Sequence, residues 1–148
     1  MDTVDYVKPA DVAVAMVETG KRKLALAPRD LLIRGMLSGA ILGVATSLAF
    51  TGAVQTNTPL VGALIFPVGL ISIVLLGLEL VTGSFALVPL PWLSREASAS
   101  AVVVNWGWVF IGNLVGGFLF TGFAIYATYK PRTVAKVLAP TPTGVPAE

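Results

Sequence analysis

The 148-residue chain contains no cysteine and no histidine, and these two absences remove most enzymatic chemistry. Without cysteine there is neither a disulfide framework nor a thiolate metal site. Without histidine the chain lacks the commonest general base and the commonest metal ligand. No glycine-rich phosphate-binding loop follows a strand pattern, because the glycines between residues 35 and 43 fall on a predicted helix. We therefore expect no enzymatic activity, no metal site and no cofactor.

Charged residues are also scarce. They make up 12% of the chain, whereas hydrophobic residues make up 55%; soluble domains carry about a quarter charged residues. Between Gly35 and Tyr129 only Glu79, Arg95 and Glu96 are charged. The net charge of +2 is small and no basic stripe is present, which argues against nucleic-acid binding. The composition predicts an integral membrane protein.

Long apolar runs predict three membrane spans, at about residues 33–54, 60–80 and 101–128, within a transmembrane domain at 31–130. The second span contains Pro67, which should kink it. The segment 81–93 is apolar but too short to cross, so we expect a loop with a re-entrant helix there. Residues 131–148 are rich in proline and predict a disordered tail.

The N-terminal segment 1–30 precedes the first span and carries an amphipathic pattern. Apolar spacing predicts a short helix from Ala10 to Thr19 that lies at the membrane interface, with Gly20 as its stop. This helix either covers a pore mouth or serves only as an anchor. The polar, acidic start is not a cleavable signal peptide, so the spans themselves should direct insertion.

The distribution of lysine and arginine predicts the orientation. Seven basic residues flank the N-terminal side of the spans: Lys8, Lys21, Arg22, Lys23, Arg29, Arg34 and Arg95. Three lie on the opposite side, at Lys130, Arg132 and Lys136. Because cytoplasmic flanks carry the excess of basic residues, this asymmetry predicts a cytoplasmic N-terminus in the cell (inner) membrane.

The stretch from Phe66 to Leu93 carries a carboxylate, Glu79, inside a membrane-length apolar run. A charge at the centre of a membrane helix costs about 2.5–3.5 kcal/mol on insertion scales. Irregular backbone at that depth survives only where protein or a water-filled cavity covers it. We predict that the helix breaks at Thr82-Gly83 and that the break lines a path. No ionisable partner for Glu79 is evident from the sequence.

Small residues recur at four-residue spacing on the first and third spans. They are expected to form close helix-packing faces, and they are Gly35, Gly39 and Gly43 on the first span and Gly112 and Gly116 on the third. Asn113 lies between the last two, where a helix-to-helix hydrogen bond is a more plausible role than a pore contact.

The run GLELVTG at 77–83, following FPVGLISIVLL, resembles the signature of the formate/nitrite transporter family. NWGWVFIGNLVGG at 105–117 resembles that family's third helix, and KPADVAVAMVETGKRKLAL resembles its surface helix. The resemblance covers about residues 8–128. It implies an all-α membrane protein with three transmembrane helices, half of an aquaporin-like inverted repeat. It also implies a pentamer whose protomers pass formate, nitrite or hydrosulfide.

The same resemblance implies roles for individual residues. Thr82 would be the polar loop residue at the pore centre, with Leu80, Leu70 and Phe66 as apolar constrictions. For Leu70 and Phe66 ordinary helix packing is equally open. Glu79 would brace the loop together with Gly83. Val81 departs from the family pattern, which has a larger residue there, and this would loosen one constriction.

The family's central pore histidine belongs to a second repeat, and this sequence has no histidine. The chain would then supply one wall of a path, as a truncated or half-length channel or transporter for small monovalent anions. The opposing wall would come from a second copy, a second-repeat partner or the remainder of a longer transporter. The alternative is a non-conducting membrane subunit that packs in a larger complex through its glycine faces.

Overall fold

The computed structural model describes residues 6–128, and all regular structure within that range is helical. The described helices are α1 (Pro9–Leu24), α2 (Pro28–Thr56), α3 (Pro59–Leu75), α4 (Val81–Leu87), α5 (Pro89–Leu93) and α6 (Ala99–Thr128). The tail predicted to be disordered, 131–148, lies outside the described residues.

Proline residues set where four of these helices begin. Pro9, Pro28, Pro59 and Pro89 each occupy the first helical position. Proline fits there because its fixed φ suits a helix and its missing N–H would have no intrahelical acceptor. Asn57, in the left-handed conformation with φ of 51°, ends α2, so α3 can start two residues later and run back along it.

Helices α2 and α6 are long and apolar enough to cross a membrane. They contain 29 and 30 residues, whereas a bilayer needs about 20. Helix α3 has 17 residues and continues through Pro67. Large apolar side chains lie exposed on these helices, among them Val54, Leu75 and Phe118. This architecture is consistent with a membrane protein.

The α2–α6 contact is a close approach of two backbones at glycine. A Cβ added at Gly116 would overlap the Met36 carbonyl group, and one at Gly39 would overlap the backbone of Asn113. A Cβ at Gly35 would lie 3.2 Å from the Gly112 Cα. Small residues let membrane helices approach closely enough to gain van der Waals contact along their length.

Gly43 lies further along the same face of α2. A Cβ added there would meet the hydroxyl of Thr121 on α6. The five glycines at which we predicted helix packing therefore face the partner helix within this chain.

Gly20 is not the end of the first helix, as the sequence suggested; α1 continues to Leu24. Gly20 is buried instead against the α4–α5 segment. A Cβ at Gly20 would overlap the Leu87 carbonyl oxygen and would lie 2.8 Å from the Pro91 ring. A glycine that looked like a helix stop is thus the point where α1 packs on its neighbours.

An ion pair one residue beyond Gly20 links α1 to the turn after α5. Lys21 Nζ pairs with Glu96 and also lies 3.4 Å from Glu18 Oε2. The hydrogen bond with Glu96 raises the pKa of Lys21 above its ordinary value. Because all three side chains are exposed to solvent, the pair orients α1 more than it stabilises the fold.

The interruption after α3 also differs from the prediction. We expected a helix to residue 80 and a break at Thr82-Gly83, but α3 ends at Leu75 and Thr82-Gly83 lie in the first turn of α4. Residues 76–80, named the break from here on, are the non-helical part. The segment 81–93, predicted as a loop with a re-entrant helix, is almost entirely helical.

Candidate functional site

The break begins with a turn that only glycine adopts easily. Gly77 has a φ of 62°, and the N–H groups of Gly77 and Leu78 donate to the carbonyls of Val74 and Ile73. The backbone then extends, and Leu80 has φ of −109° and ψ of 130° where it precedes α4. Between α3 and α4 the backbone is extended, so its peptide groups point away from the chain direction and cannot pair within the segment. Their hydrogen-bond partners must therefore come from other helices.

Asn113 on α6 supplies those partners. Its Oδ1 accepts from the Val81 N–H at 2.9 Å, and its Nδ2 donates to the Glu79 carbonyl oxygen at 2.9 Å. The same Nδ2 lies 2.9 Å from Gly35 O and from Ser38 Oγ on α2. Asn113 thus bonds α6 to α2 and also makes two hydrogen bonds to the backbone on either side of Leu80.

Ser38 on α2 completes this arrangement. Its fully buried hydroxyl donates to the Glu79 carbonyl oxygen at 2.6 Å and lies 2.9 Å from Gly35 O. Sequence reasoning missed Ser38, since a serine on an apolar helix usually bonds back to its own helix.

The Glu79 side chain has an ionic partner, contrary to the expectation from sequence. Lys23 Nζ donates to Glu79 Oε1 at 2.9 Å and to Oε2 at 2.8 Å. Only 4% of the Glu79 side chain and 15% of the Lys23 side chain are exposed. Ser84 Oγ lies 3.5 Å from the second carboxylate oxygen. The Glu79 side chain therefore links the break to α1 and α4, and it has the opposite charge and the hydrogen bonds that a buried carboxylate needs.

Two cavities follow each other along α2 and meet at the break. The basic cavity, of about 540 Å³, is lined by Arg22, Lys23 and Arg34 together with the break. The α2–α6 cavity, of about 790 Å³, is lined by the later turns of those two helices. Leu80 and Thr82 are common to both linings. The end of the break and the start of α4 therefore form the partition between the two cavities.

The other residues singled out from sequence occupy less central places. Leu70 and Gly83 line the basic cavity. Phe66 is partly exposed on α3 and is absent from the linings of both cavities within residues 6–128. Val81 lines the α2–α6 cavity and gives its N–H to Asn113.

The partition presents hydrogen-bond donors beside apolar surface. Thr82 is an exposed residue, and its hydroxyl makes no hydrogen bond to another described residue. The N–H groups of Thr82 and Gly83 also have no acceptor among residues 6–128. The backbone before them is extended, so it does not supply the carbonyl groups that a preceding helical turn would. Leu80 lies next to them. Unpaired donors favour a negatively charged or hydrogen-bond-accepting ligand, and leucine disfavours water.

Two further residues of α6 donate hydrogen bonds to the backbone of the residues that contact the Glu79 carboxylate. Asn105 Nδ2 donates to the Lys23 carbonyl oxygen at 3.1 Å, and Trp106 Nε1 donates to the Ser84 carbonyl oxygen at 3.2 Å. The Trp106 ring also meets Phe85 edge to face at a centroid distance of 5.0 Å. Sequence reasoning missed these bonds, because both partners lie in distant segments.

Comparison with known proteins relates these features to a family. The family model described as formate/nitrite transporter matches residues 10–141. The uncharacterized transporter YrhG of Bacillus subtilis is 38% identical over 141 residues, which cover 86% of this chain and 53% of that protein. The formate channel BtFdhC of Bacillus thuringiensis is 31% identical, over 74% of this chain and 44% of that protein.

The formate channel FocA of Escherichia coli is 30% identical over 78% of this chain and 42% of its own length. The chain thus spans about half the length of the curated relatives it matches. No match was found among solved structures. Since the family model covers nearly all of the chain, including the break and its partners on α1, α2 and α6, the chain belongs to the formate/nitrite transporter family.

Proposed function

We propose that the chain forms one wall of a membrane path for small monovalent anions, such as formate, nitrite or a similar weak acid. The observation that carries the proposal is the partition, where Leu80 and Thr82 lie between two cavities and the Thr82 hydroxyl has no partner among residues 6–128. An anion moving between the cavities would pass this hydroxyl and the adjacent N–H groups. The relatives named as formate channels support the choice of substrate class.

Electrostatics around the basic cavity favours the same class of substrate. Arg22, Lys23 and Arg34 line it, whereas Glu79 is the one carboxylate among its lining residues within 6–128. The Glu79 charge is neutralised by Lys23, and two arginines remain. Clefts lined by charge of one sign raise the local concentration of the opposite ion. This cavity would therefore serve as the entrance that gathers anions.

The proposed membrane arrangement has three crossings: α2, α3 continued by the break and α4–α5, and α6. The N-terminus lies in the cytoplasm, because seven of the ten basic residues flank that side. The native chain has no cysteine, so Asn57→Cys and Ser98→Cys can be labelled singly in intact cells. Labelling of N57C alone by an impermeant maleimide supports this orientation, and labelling of S98C alone refutes it.

The opposing wall of the path comes from another segment, either a second-repeat partner or the remainder of a longer transporter, or from a second copy in a homo-oligomer. Resemblance to the family makes a pentamer the expected assembly. The alternative, a non-conducting subunit that packs through its glycine faces, is weakened by one observation. Those faces meet each other inside the chain, with Gly39 and Gly116 against the opposite backbone, and are not available to a partner.

Uptake of labelled formate and nitrite into liposomes containing the purified chain tests the proposal. Flux above that of empty liposomes, greater at acidic than at neutral pH, supports a path for weak acids. Thr82→Val should lower the flux at least about tenfold, the value of one hydrogen bond to a charged group. Absence of flux in correctly inserted wild-type protein would refute independent transport by this chain.

Thr46→Val is the matched control for Thr82→Val. Thr46 lines the α2–α6 cavity, but its hydroxyl donates to the Leu42 carbonyl oxygen of its own helix at 2.7 Å. Its loss should leave the flux nearly unchanged. Equal losses in the two variants would show that the Thr82 hydroxyl has no special role.

A further inference from the structure

Asn105 is a buried amide that touches the candidate path only through another residue. It lies near the start of α6 with 2% of its surface exposed. Its Nδ2 donates to the Lys23 carbonyl oxygen, and its Oδ1 has no donor among the described residues. Turning the amide over would set two oxygens against each other, so the hydrogen-bond pattern fixes its orientation. Asn105 lines neither cavity.

The carbonyl that Asn105 binds belongs to the last turn of α1. Carbonyl groups in a last turn have no intrahelical N–H to accept from and need another partner. Among the described residues, the backbone offers the Lys23 carbonyl only the Leu26 N–H, at 3.4 Å. The bond from Asn105, at 3.1 Å, is shorter. It therefore fixes the backbone of the same residue whose side chain holds Glu79.

Trp106, the next residue of α6, acts in parallel on the other neighbour of Glu79. The Glu79 carboxylate is within reach of the Lys23 ammonium and the Ser84 hydroxyl. Asn105 holds the Lys23 carbonyl oxygen, and Trp106 holds the Ser84 carbonyl oxygen. Consecutive residues of one helix thus position both side chains that contact the carboxylate.

We propose that Asn105 is a positioning residue: by donating to the Lys23 carbonyl it sets the Lys23 ammonium against Glu79 and thereby maintains the shape of the break. Its effect on transport rests on the function proposed above, whereas its effect on the structure does not. Asn105 has no direct contact with an anion in the path, and loss of its donor acts through Lys23.

Hydrogen exchange in the purified full chain tests this role. In Asn105→Leu, which keeps the approximate volume and removes the donor, exchange at residues 21–26 and 76–80 should rise about tenfold, the opening that one buried hydrogen bond restrains. Exchange at the α2–α3 turn, near Asn57, should not change. Asn105→Ala leaves a space that water can enter, and the same exchange pattern is expected for it. This variant replaces Asn105→Leu in the test if the leucine variant fails to fold.

The matched control is Val109→Ala, one turn further along α6. Val109 is fully buried but makes no side-chain hydrogen bond. Its truncation should weaken the packing of α2 on α6 without a specific rise in hydrogen exchange at residues 21–26. If Asn105→Leu and Val109→Ala give the same exchange pattern, or if residues 21–26 are unchanged in Asn105→Leu, the proposal is overturned.

A double variant separates positioning from general packing. In a Lys23→Met background, Asn105→Leu should add no further exchange at 76–80, because the side chain through which it acts is gone. Val109→Ala should add the same increment in both backgrounds. If the effects of Asn105→Leu and Lys23→Met on hydrogen exchange at 76–80 are fully additive, the proposal is contradicted.

Flux through liposomes provides the functional readout. Asn105→Leu should reduce it with little change in the concentration at half-maximal rate, since no anion contact is removed. If the wild-type chain shows no flux, the proposed function fails and the exchange measurements still decide the role of Asn105.

Discussion

Replacement of Lys23 by methionine should be among the most damaging single changes to this fold. Methionine retains the apolar length of lysine but removes the ammonium that contacts both oxygens of Glu79. Within residues 6–128 the Glu79 side chain, 4% exposed, would then keep only the long contact from Ser84 at 3.5 Å. The Lys23 carbonyl and its bond from Asn105 would stay in place, so the variant isolates the charge.

The magnitude follows from what is left behind. Removing one partner of a buried ion pair costs about 3–5 kcal/mol, because the other charge is then buried and uncompensated. For a chain of this size one kcal/mol corresponds to about 2–4 °C in Tm, so the expected decrease is about 10 °C. Adding Glu79→Gln to Lys23→Met removes the stranded charge and should restore most of the loss, since a neutral replacement of a buried pair is often tolerated.

Thermal unfolding in detergent, followed by tryptophan fluorescence, measures these changes. Lys21→Met is the matched control: it lies on the same helix, two residues away, and also loses an ion pair. Because Lys21 and Glu96 are 38% and 45% exposed, that change should be much smaller. A decrease for Lys23→Met no larger than for Lys21→Met, or a double variant less stable than Lys23→Met alone, would refute the reasoning.

Two further predictions concern α6. Asn113→Leu leaves the Val81 N–H without its acceptor and removes one donor from the Glu79 carbonyl oxygen. The variant should lower the free energy of unfolding by about 3 kcal/mol. Near-wild-type stability in chemical denaturation would contradict the hydrogen bonds described. Gly39→Ala should separate α2 from α6 and destabilise the fold. Gly122→Ala adds a methyl group that comes within 4 Å of no other described segment, so it should raise helix stability by up to about 1 kcal/mol. Equal effects of the two changes in thermal unfolding would argue against a close backbone contact at Gly39.

The all-helical class and the positions of the apolar segments could be predicted from the sequence, because hydrophobicity is a local property. The third span, predicted at 101–128, corresponds to α6 from Ala99 to Thr128. The four-residue glycine spacing predicted packing faces, and the structure places Gly35 against Gly112. The presence of an interruption near Glu79 was also predictable, since a carboxylate inside an apolar run needs a polar environment.

The position of the break was not predictable from local signals. Thr82-Gly83 is the stronger helix-breaking pair by residue type, yet the chain turns at Gly77, with positive φ, and re-enters a helix at Val81. The choice is made by tertiary partners, because Asn113 and Ser38 offer hydrogen bonds only to an extended segment at 79–81. Those partners lie at least 32 residues away in the chain.

The ionic partner of Glu79 was missed for a related reason. Lys23 was assigned to a segment beyond the end of the first helix, since Gly20 precedes it in the sequence. The structure uses Gly20 as a close contact with α4 and α5 instead, and the helix carries Lys23 on to the break. A glycine in a helix has two opposite interpretations, and only the surrounding segments decide between them.

The hydrogen bonds of the break impose an order on assembly in the membrane. Val81 N–H pairs with an acceptor synthesised 32 residues later, on α6, whereas Glu79 pairs with a lysine made 56 residues earlier. When α3 and α4 first leave the ribosome, the charge can already be neutralised by α1, but the Val81 N–H has no protein partner. Until α6 has inserted, that group must remain where water reaches it. The partition between the two cavities is therefore completed only once α6 has inserted.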